Sequence, residues 1–107
     1  MKAEKLNKRI TIQLKTISQD DELAVIETWS DLISVWAAVI PTNGKEFYRL
    51  SSINSEIESA FIIRFDSNCK ITPHHRLIFN DNTFEIISVI NENEQNRWMT
   101  LTCKAVV

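Results

Sequence analysis

The chain has 107 residues, with 12 Lys and Arg against 14 Asp and Glu, a formal net charge of −2, and 44% hydrophobic residues. That length sets a single domain over 1–107 with one core, burying roughly 65% of the unfolded surface, and excludes a separate nucleotide-binding half. Gly44 is the only glycine, which excludes the glycine-rich loops that bring backbone against phosphate. The missing basic excess argues against a dedicated duplex-DNA binder, which displaces counterions with Lys and Arg.

Cys69 and Cys103 stand far apart without C-x-x-C spacing. Two cysteines are too few for a secreted disulfide scaffold, so free thiols in a reducing compartment are expected. The charged start MKAEKLNKR lacks the apolar region of a signal peptide. No apolar run approaches the ~20 residues that span a bilayer, so no membrane partner is expected. Fifteen Ile, six Val and eight Thr bring β-branched side chains that suit a pleated surface better than a helix. Nine Asn tolerate the left-handed backbone of turns and replace glycine there.

Residues 1–6 read as a flexible arm. Over residues 7–18, Ile10, Ile12 and Leu14 alternate with Arg9, Thr11, Gln13 and Lys15, the mark of a half-buried strand. A polar turn at 19–22 leads to a short second strand over 23–28. Trp29, Ser30 and Asp31 then bend the chain. Residues 33–40 (ISVWAAVI) predict a strand buried on both faces, with Trp36 in the core, stopped by Pro41. Past the 41–44 loop, Phe47, Leu50, Ile53 and Ile57 fall on one helical stripe, so 42–59 is an inserted loop or helix. Residues 60–66 return to strand character. Residues 76–79 and 83–90 around Asn80, Asp81 and Asn82 predict a hairpin. Residues 97–106 form the last strand, with Met99, Leu101, Cys103 and Ala105 on one face. The fold class is mainly β: a small antiparallel β-barrel or sandwich of about six strands, with one helix or long loop inserted between middle strands.

Chemistry-bearing residues are sparse. His74 and His75 are adjacent, so on a strand they point to opposite faces and chelate poorly. Cys69 precedes Lys70 but has no clear activating environment, and Cys103 fits a core position. Asp20, Asp21 and Glu22 lack calcium-loop spacing and read as a solvated turn. Lys8, Arg9, Arg49, Arg64, Arg76 and Arg97, with Trp98 or Phe65 as platforms, would make a nucleic-acid groove, yet Glu46, Glu56, Glu58 and Glu85 interleave with them. Trp29 stands at a bend, where a large aromatic serves either the core or a contact. No nucleophile–base constellation appears, so no enzymatic activity, cofactor or metal is expected.

The order of segments over nearly the whole chain resembles the phage head–tail joining family, the SPP1-type head–tail adaptor or head closure family. The resemblance opens with LNKRITIQ at 6–13 and continues through ETWSDLISVWAAVIPTNGKEFY at 27–48, where Trp29, Val35-Trp36-Ala37 and Gly44-Lys45-Glu46 stand at the family's places. FIIRF at 61–65, RLIFNDNTFEIISVIN at 76–91 and LTCKAV at 101–106 follow. One departure is the hairpin turn, where Asn82 stands in place of the usual glycine.

The resemblance implies a structural subunit of a head–tail connector ring. Such a ring docks under the portal or adaptor, closes the DNA channel after packaging and offers the tail-attachment surface. It implies self-association in the ring, though a monomer in isolation, with portal or adaptor, tail or tail-completion protein and packaged DNA as partners. The chain would be made in the bacterial host cytoplasm and end in the virion. A channel or gating loop is expected at Thr42, Asn43, Gly44, Lys45 and Glu46, with Gly44 as a hinge. A docking arm is expected at Lys2, Lys5, Lys8 and Arg9. The competing readings are an oligonucleotide-binding β-barrel and another small tail-completion protein of the same virion.

Overall fold

The alternation around Ile10 and Ile12 does form a strand, β1 (Lys8–Gln19), in the computed structural model, which describes residues 6–66, 70–91 and 96–106. It is followed by β2 (Val25–Val39), α1 (Lys45–Ile53), β3 (Ser59–Arg64), β4 (Arg76–Phe79), β5 (Asn82–Asn91) and β6 (Trp98–Ala105). All strands pair antiparallel in the order β1-β2-β3-β6-β5-β4, and β4 pairs back onto β1, so one six-stranded sheet closes on itself. The expected mainly β fold with one helix between β2 and β3 is therefore present, as a closed sheet rather than a sandwich.

Inward positions fill the interior. Ile10, Ile12, Ala37, Phe61, Ile63, Leu77, Ile86, Met99, Leu101 and Cys103 form its core. Phe61 meets Phe79 and Phe84 edge-on, with ring centroids 5.5 and 5.7 Å apart, the arrangement that aromatic quadrupoles favour. A second cluster lies on the outside, where Leu50 and Ile57 cover Ile40, Ala60 and Ile62. Strand β3 is consequently buried on both faces, and the outward hydroxyls of Thr100 and Thr102 are buried too. The Ser88 and Thr102 hydroxyls lie 2.5 Å apart, which satisfies both. A register shift between Ile86 and Ser88 is a β-bulge: Ile86 faces the core, Ile87 packs on the second cluster, and Ser88 is brought opposite Thr102.

The helix is shorter than its apolar stripe predicts. Ser51 and Ser52 donate their hydroxyls back to the carbonyls of Tyr48 (3.2 Å) and Arg49 (2.7 Å), an interaction that weakens helices. Asn54 then accepts the Glu56 N–H through Oδ1 at 2.9 Å, and this side-chain turn replaces the next helical turn. Leu50 stays buried and Ile57 returns to the sheet beyond the helix end, but Ile53 is 77% exposed.

Three further expectations need correction. Residues 23–28 and 33–40 are one strand, because Trp29, Ser30 and Asp31 pair with Lys15, Leu14 and Gln13 across β1. The irregularity there is only a bulge that leaves Leu32 unpaired between Asp31 and Ile33. Strand β2 is not buried on both faces: Ala37 is inside while Trp36 is 53% exposed. The hairpin turn uses Asn80 (φ 51°) and Asp81 (φ 63°), with Asn82 already paired to Phe79. Two left-handed residues match the twist of the flanking strands, so the residue at 82 needs no glycine.

Candidate interaction surface

The first two strands outrun the sheet. Strand β1 meets β4 only over Thr11, Ile12 and Gln13, and β2 meets β3 only over Ala37, Ala38 and Val39. Among the described residues, 14–19 and 25–30 therefore pair only with each other, as a two-stranded ribbon with open edges. Six residues at about 3.3 Å each carry it about 20 Å beyond the sheet, in a molecule of 51 × 30 × 25 Å. Ile17, Val25 and Ile26 on the ribbon are exposed.

An isolated two-stranded hairpin is marginal in water, and cross-strand side chains hold this one. Just below the ribbon, Thr11 and Ser34 share a hydrogen bond at 3.0 Å. Gln13 donates to Asp31 Oδ1 at 2.8 Å and accepts from Arg76 Nε at 2.7 Å. The Arg76 guanidinium lies 4.3 Å from the Trp29 ring centroid, and the Lys15 ammonium lies 5.9 Å from the same centroid. Lys15 also pairs with Glu27 at 3.6 Å, an exposed ion pair worth about 0–1 kcal/mol. Trp29 is thus half-buried, a contact residue at the ribbon's root rather than a bend.

At the ribbon tip, Asp20 Oδ1 accepts the N–H groups of Glu22 and Ala24, both at 2.9 Å. The turn places Leu23 at φ 65° and 73% exposed. A left-handed backbone costs an ordinary L-residue roughly 1–2 kcal/mol, and a branched apolar side chain in water recovers none of it.

A row of cations and indoles crosses the outer face of the sheet. Arg9 pairs with Trp36 across β1 and β2, and its guanidinium lies 5.0 Å from the indole centroid. Arg64 pairs with Trp98 across β3 and β6, at 5.3 Å. In the strand order β1-β2-β3-β6, Trp36 and Arg64 each lie one residue beyond the last β2–β3 pair, Ala37 with Ile63. Cross-strand neighbours share a face, giving the order Arg9, Trp36, Arg64, Trp98. Arg64, Phe65, Asn96, Arg97 and Trp98 also line a shallow depression of about 500 Å³.

The other sequence candidates are distributed around the body. Thr42, Asn43 and Lys45 are exposed, with Gly44 and Glu46 half-buried. The Gly44 N–H donates to the Pro41 carbonyl, and the Gly44 carbonyl accepts from Tyr48, both at 3.1 Å. Gly44 has φ −95°, which any residue adopts. Glu46 sits in the first helical turn, where a negative charge suits the helix dipole. Of the expected arm, Lys8 and Arg9 begin β1 and are exposed, Leu6 packs against the outer cluster, and Lys2 and Lys5 lie outside the described residues, as does Cys69.

The basic groove is divided. Arg76 is engaged with Gln13 and Trp29, away from Arg64 and Arg97, while Phe65 and Trp98 pack against the two apolar clusters. The His75 Nδ1 accepts the Thr72 N–H at 3.1 Å. Partial burial, and then the neighbouring His74 charge, lower its pKa. The Cys103 thiol is buried, which pushes its pKa up to about 12. The ribbon escaped the sequence reading; its signal is two strand-rich runs of similar length flanking the single polar turn at 19–22.

A family model described as phage head completion protein matches residues 1–106. The solution structure of protein SF1141 from Shigella flexneri 2a is similar, with 24% identity over 98% of this chain and 96% of that one, and a TM-score of 0.73. A chain of the virion of a native gene transfer agent particle is similar at 15% identity, over 94% and 96% of the two chains, with a TM-score of 0.64. These two likenesses show the fold. No curated protein matches.

Proposed function

The chain belongs to the phage head completion protein family, a structural family of the virion, and from that premise we propose that it is a subunit of a head–tail connector ring. In this reading the ring docks under the portal or its adaptor, closes the DNA channel after packaging and presents the surface to which the tail or a tail-completion protein attaches. The single observation that supports it most is the division of the chain into a closed body and a ribbon whose strands, among the described residues, pair with no third strand. A body that closes its own sheet removes the edges that cause random aggregation, and the ribbon supplies edges for ordered neighbours. Copies around an axis use heterologous, head-to-tail contacts, so one protruding element per copy serves the whole ring.

Charge agrees with passage of DNA. A lining rich in Lys and Arg holds phosphates through counterion release, and a chain of net charge −2 lets packaged DNA be retained and later leave. The proposed gating contacts are Thr42, Asn43, Gly44, Lys45 and Glu46 at the start of α1, where Tyr48 (75% exposed) and Ile53 extend the outward surface. The arm with Lys2, Lys5, Lys8 and Arg9 is proposed to dock on an acidic neighbour.

Two experiments test this. The full chain should co-sediment with assembled portal–adaptor complexes, and failure to do so under conditions that assemble other connector proteins contradicts the reading. Particles made with residues 43–46 deleted should leak DNA or fail to join tails; full heads that keep their DNA and join tails normally remove the gating assignment. Tight, salt-sensitive oligonucleotide binding by the monomer would support the oligonucleotide-binding barrel instead.

A further inference from the structure

The geometry points to a docking contact between copies: the acidic tip of the β1–β2 ribbon of one copy seats on the Arg9–Trp36–Arg64–Trp98 row of the next. This deepens the connector reading and rests on it.

Three observations carry the contact. The first is charge. The tip holds Asp20, Asp21 and Glu22 in succession, and the row presents two guanidinium groups laid on indole faces. A guanidinium stacked in this way keeps its N–H donors directed around its rim, where carboxylates bind in pairs.

The second is residue type. Trp36 is 53% exposed although Ala37 beside it is buried, so a large aromatic stands in water while the core takes a methyl group. Trp and Arg are the residues that dominate binding energy at interfaces. Leu23 complements them at the tip: it occupies the left-handed position that suits glycine or asparagine, and is 73% exposed. Folding alone selects against that placement, whereas an apolar anchor between carboxylates and an Arg–Trp row needs it.

The third is reach. From Val25 to Trp36 along β2 is about 35 Å at ~3.3 Å per residue, so the tip cannot fold back onto its own row. It can meet the row only on another molecule. Tip and row are different patches, and a contact between different patches is heterologous and propagates around an axis.

The test uses the full chain labelled with nitrogen-15 and titrated with unlabelled full chain at low ionic strength, a measurement that registers millimolar association. Three variants accompany it: Asp21→Lys with Glu22→Lys, Arg9→Glu with Arg64→Glu, and the chain carrying all four changes. Asp20 is left intact because it holds the turn. Shifts are expected at Leu23, Ala24 and the indole N–H groups of Trp36 and Trp98. Either double reversal should weaken the association by about tenfold or more, and the fourfold chain should regain most of it, which also shows that the reversals fold.

Leu23→Gly should weaken association while slowing amide exchange across the ribbon tip, because the strained left-handed position is relieved. No shifts in the wild-type titration, or shifts indifferent to both reversals, overturn the contact. Oligonucleotide binding that is lost on Arg9→Glu with Arg64→Glu, without self-association, reassigns the row to nucleic acid and also overturns it. A chain that co-sediments with portal complexes but shows none of these shifts leaves the connector reading standing and removes only this contact.

Discussion

The first two strands change character at Gln13. Below it, Ile10 and Ile12 are fully buried and β1 has neighbours on both sides, β2 and β4. Above it, the same two strands keep their pairing but have no third strand beside them among the described residues, and their stability comes from side chains such as Gln13, Asp31, Arg76, Trp29 and Lys15. Backbone pairing alone therefore does not distinguish a core from an arm; what distinguishes them is whether a second layer removes the faces from water. The closed sheet is held by burial, and the ribbon by a chain of exposed polar and cation–aromatic contacts that are individually small.

The contrast is sharpest where burial is greatest. Phe61→Ala deletes a ring at 1% exposure that two other rings meet edge-on. It should cost about 3–5 kcal/mol, read as a lower urea midpoint with the ribbon's local pairing unchanged below the transition. Cys103 reports the same interior chemically. In a Cys69→Ser background, its thiol, pushed up to about 12 by burial, should react with a thiol reagent at least about tenfold more slowly than an ordinary cysteine at equal pH. Rapid reaction in the folded chain would show that the sheet opens at β6.

A break in the ribbon should look different. Asp20→Ala removes two hydrogen bonds at the tip, worth about 1–3 kcal/mol together. The loss should appear as faster amide exchange over residues 14–19 and 25–30 with the global melting temperature nearly unchanged. A matching fall in the melting temperature would mean that ribbon and body unfold as one unit.

The smallest effect lies at the junction. His75 shares a cavity with Lys15, Trp29, His74, Arg76 and Glu85. Its pKa is lowered in the fold by partial burial first and the His74 charge second, so between the folded value and 6.5 the unfolded chain binds more protons. Stability is then fully present above pH 6.5 and declines as pH falls through that window. His75→Gln should flatten this decline in thermal melts taken between pH 8 and the folded pKa.

Local chemistry made part of the molecule legible. The 80–81 hairpin shows itself because Asn and Asp accept left-handed backbone, and β6 because Met99, Leu101 and Cys103 alternate toward one face. The ribbon was hidden because Trp29, Ser30 and Asp31 are turn-like in isolation and become strand only through their partners Lys15, Leu14 and Gln13. Trp36 was misread for a related reason. A tryptophan in an apolar run resembles core, but alternation along β2 sends Ile33, Val35 and Ala37 toward the interior and leaves Trp36 on the outer face. Of the surface candidates, Arg9 and Lys8 could be named from the sequence, while the pairing of Arg9 with Trp36 and of Arg64 with Trp98 depends on register. Register joins residues far apart in the chain and has no local signature.

The proposed division into a self-sufficient body and an arm that finds its neighbours in the assembly is tested most directly by amide hydrogen exchange on the free chain and on the chain within assembled particles. The expected result is strong protection of β3 and β6 in both, with residues 14–19 and 25–36 exchanging quickly when free and slowly once assembled. Equal protection of ribbon and body in the free chain, or a ribbon that exchanges as fast in the particle as outside it, would contradict it.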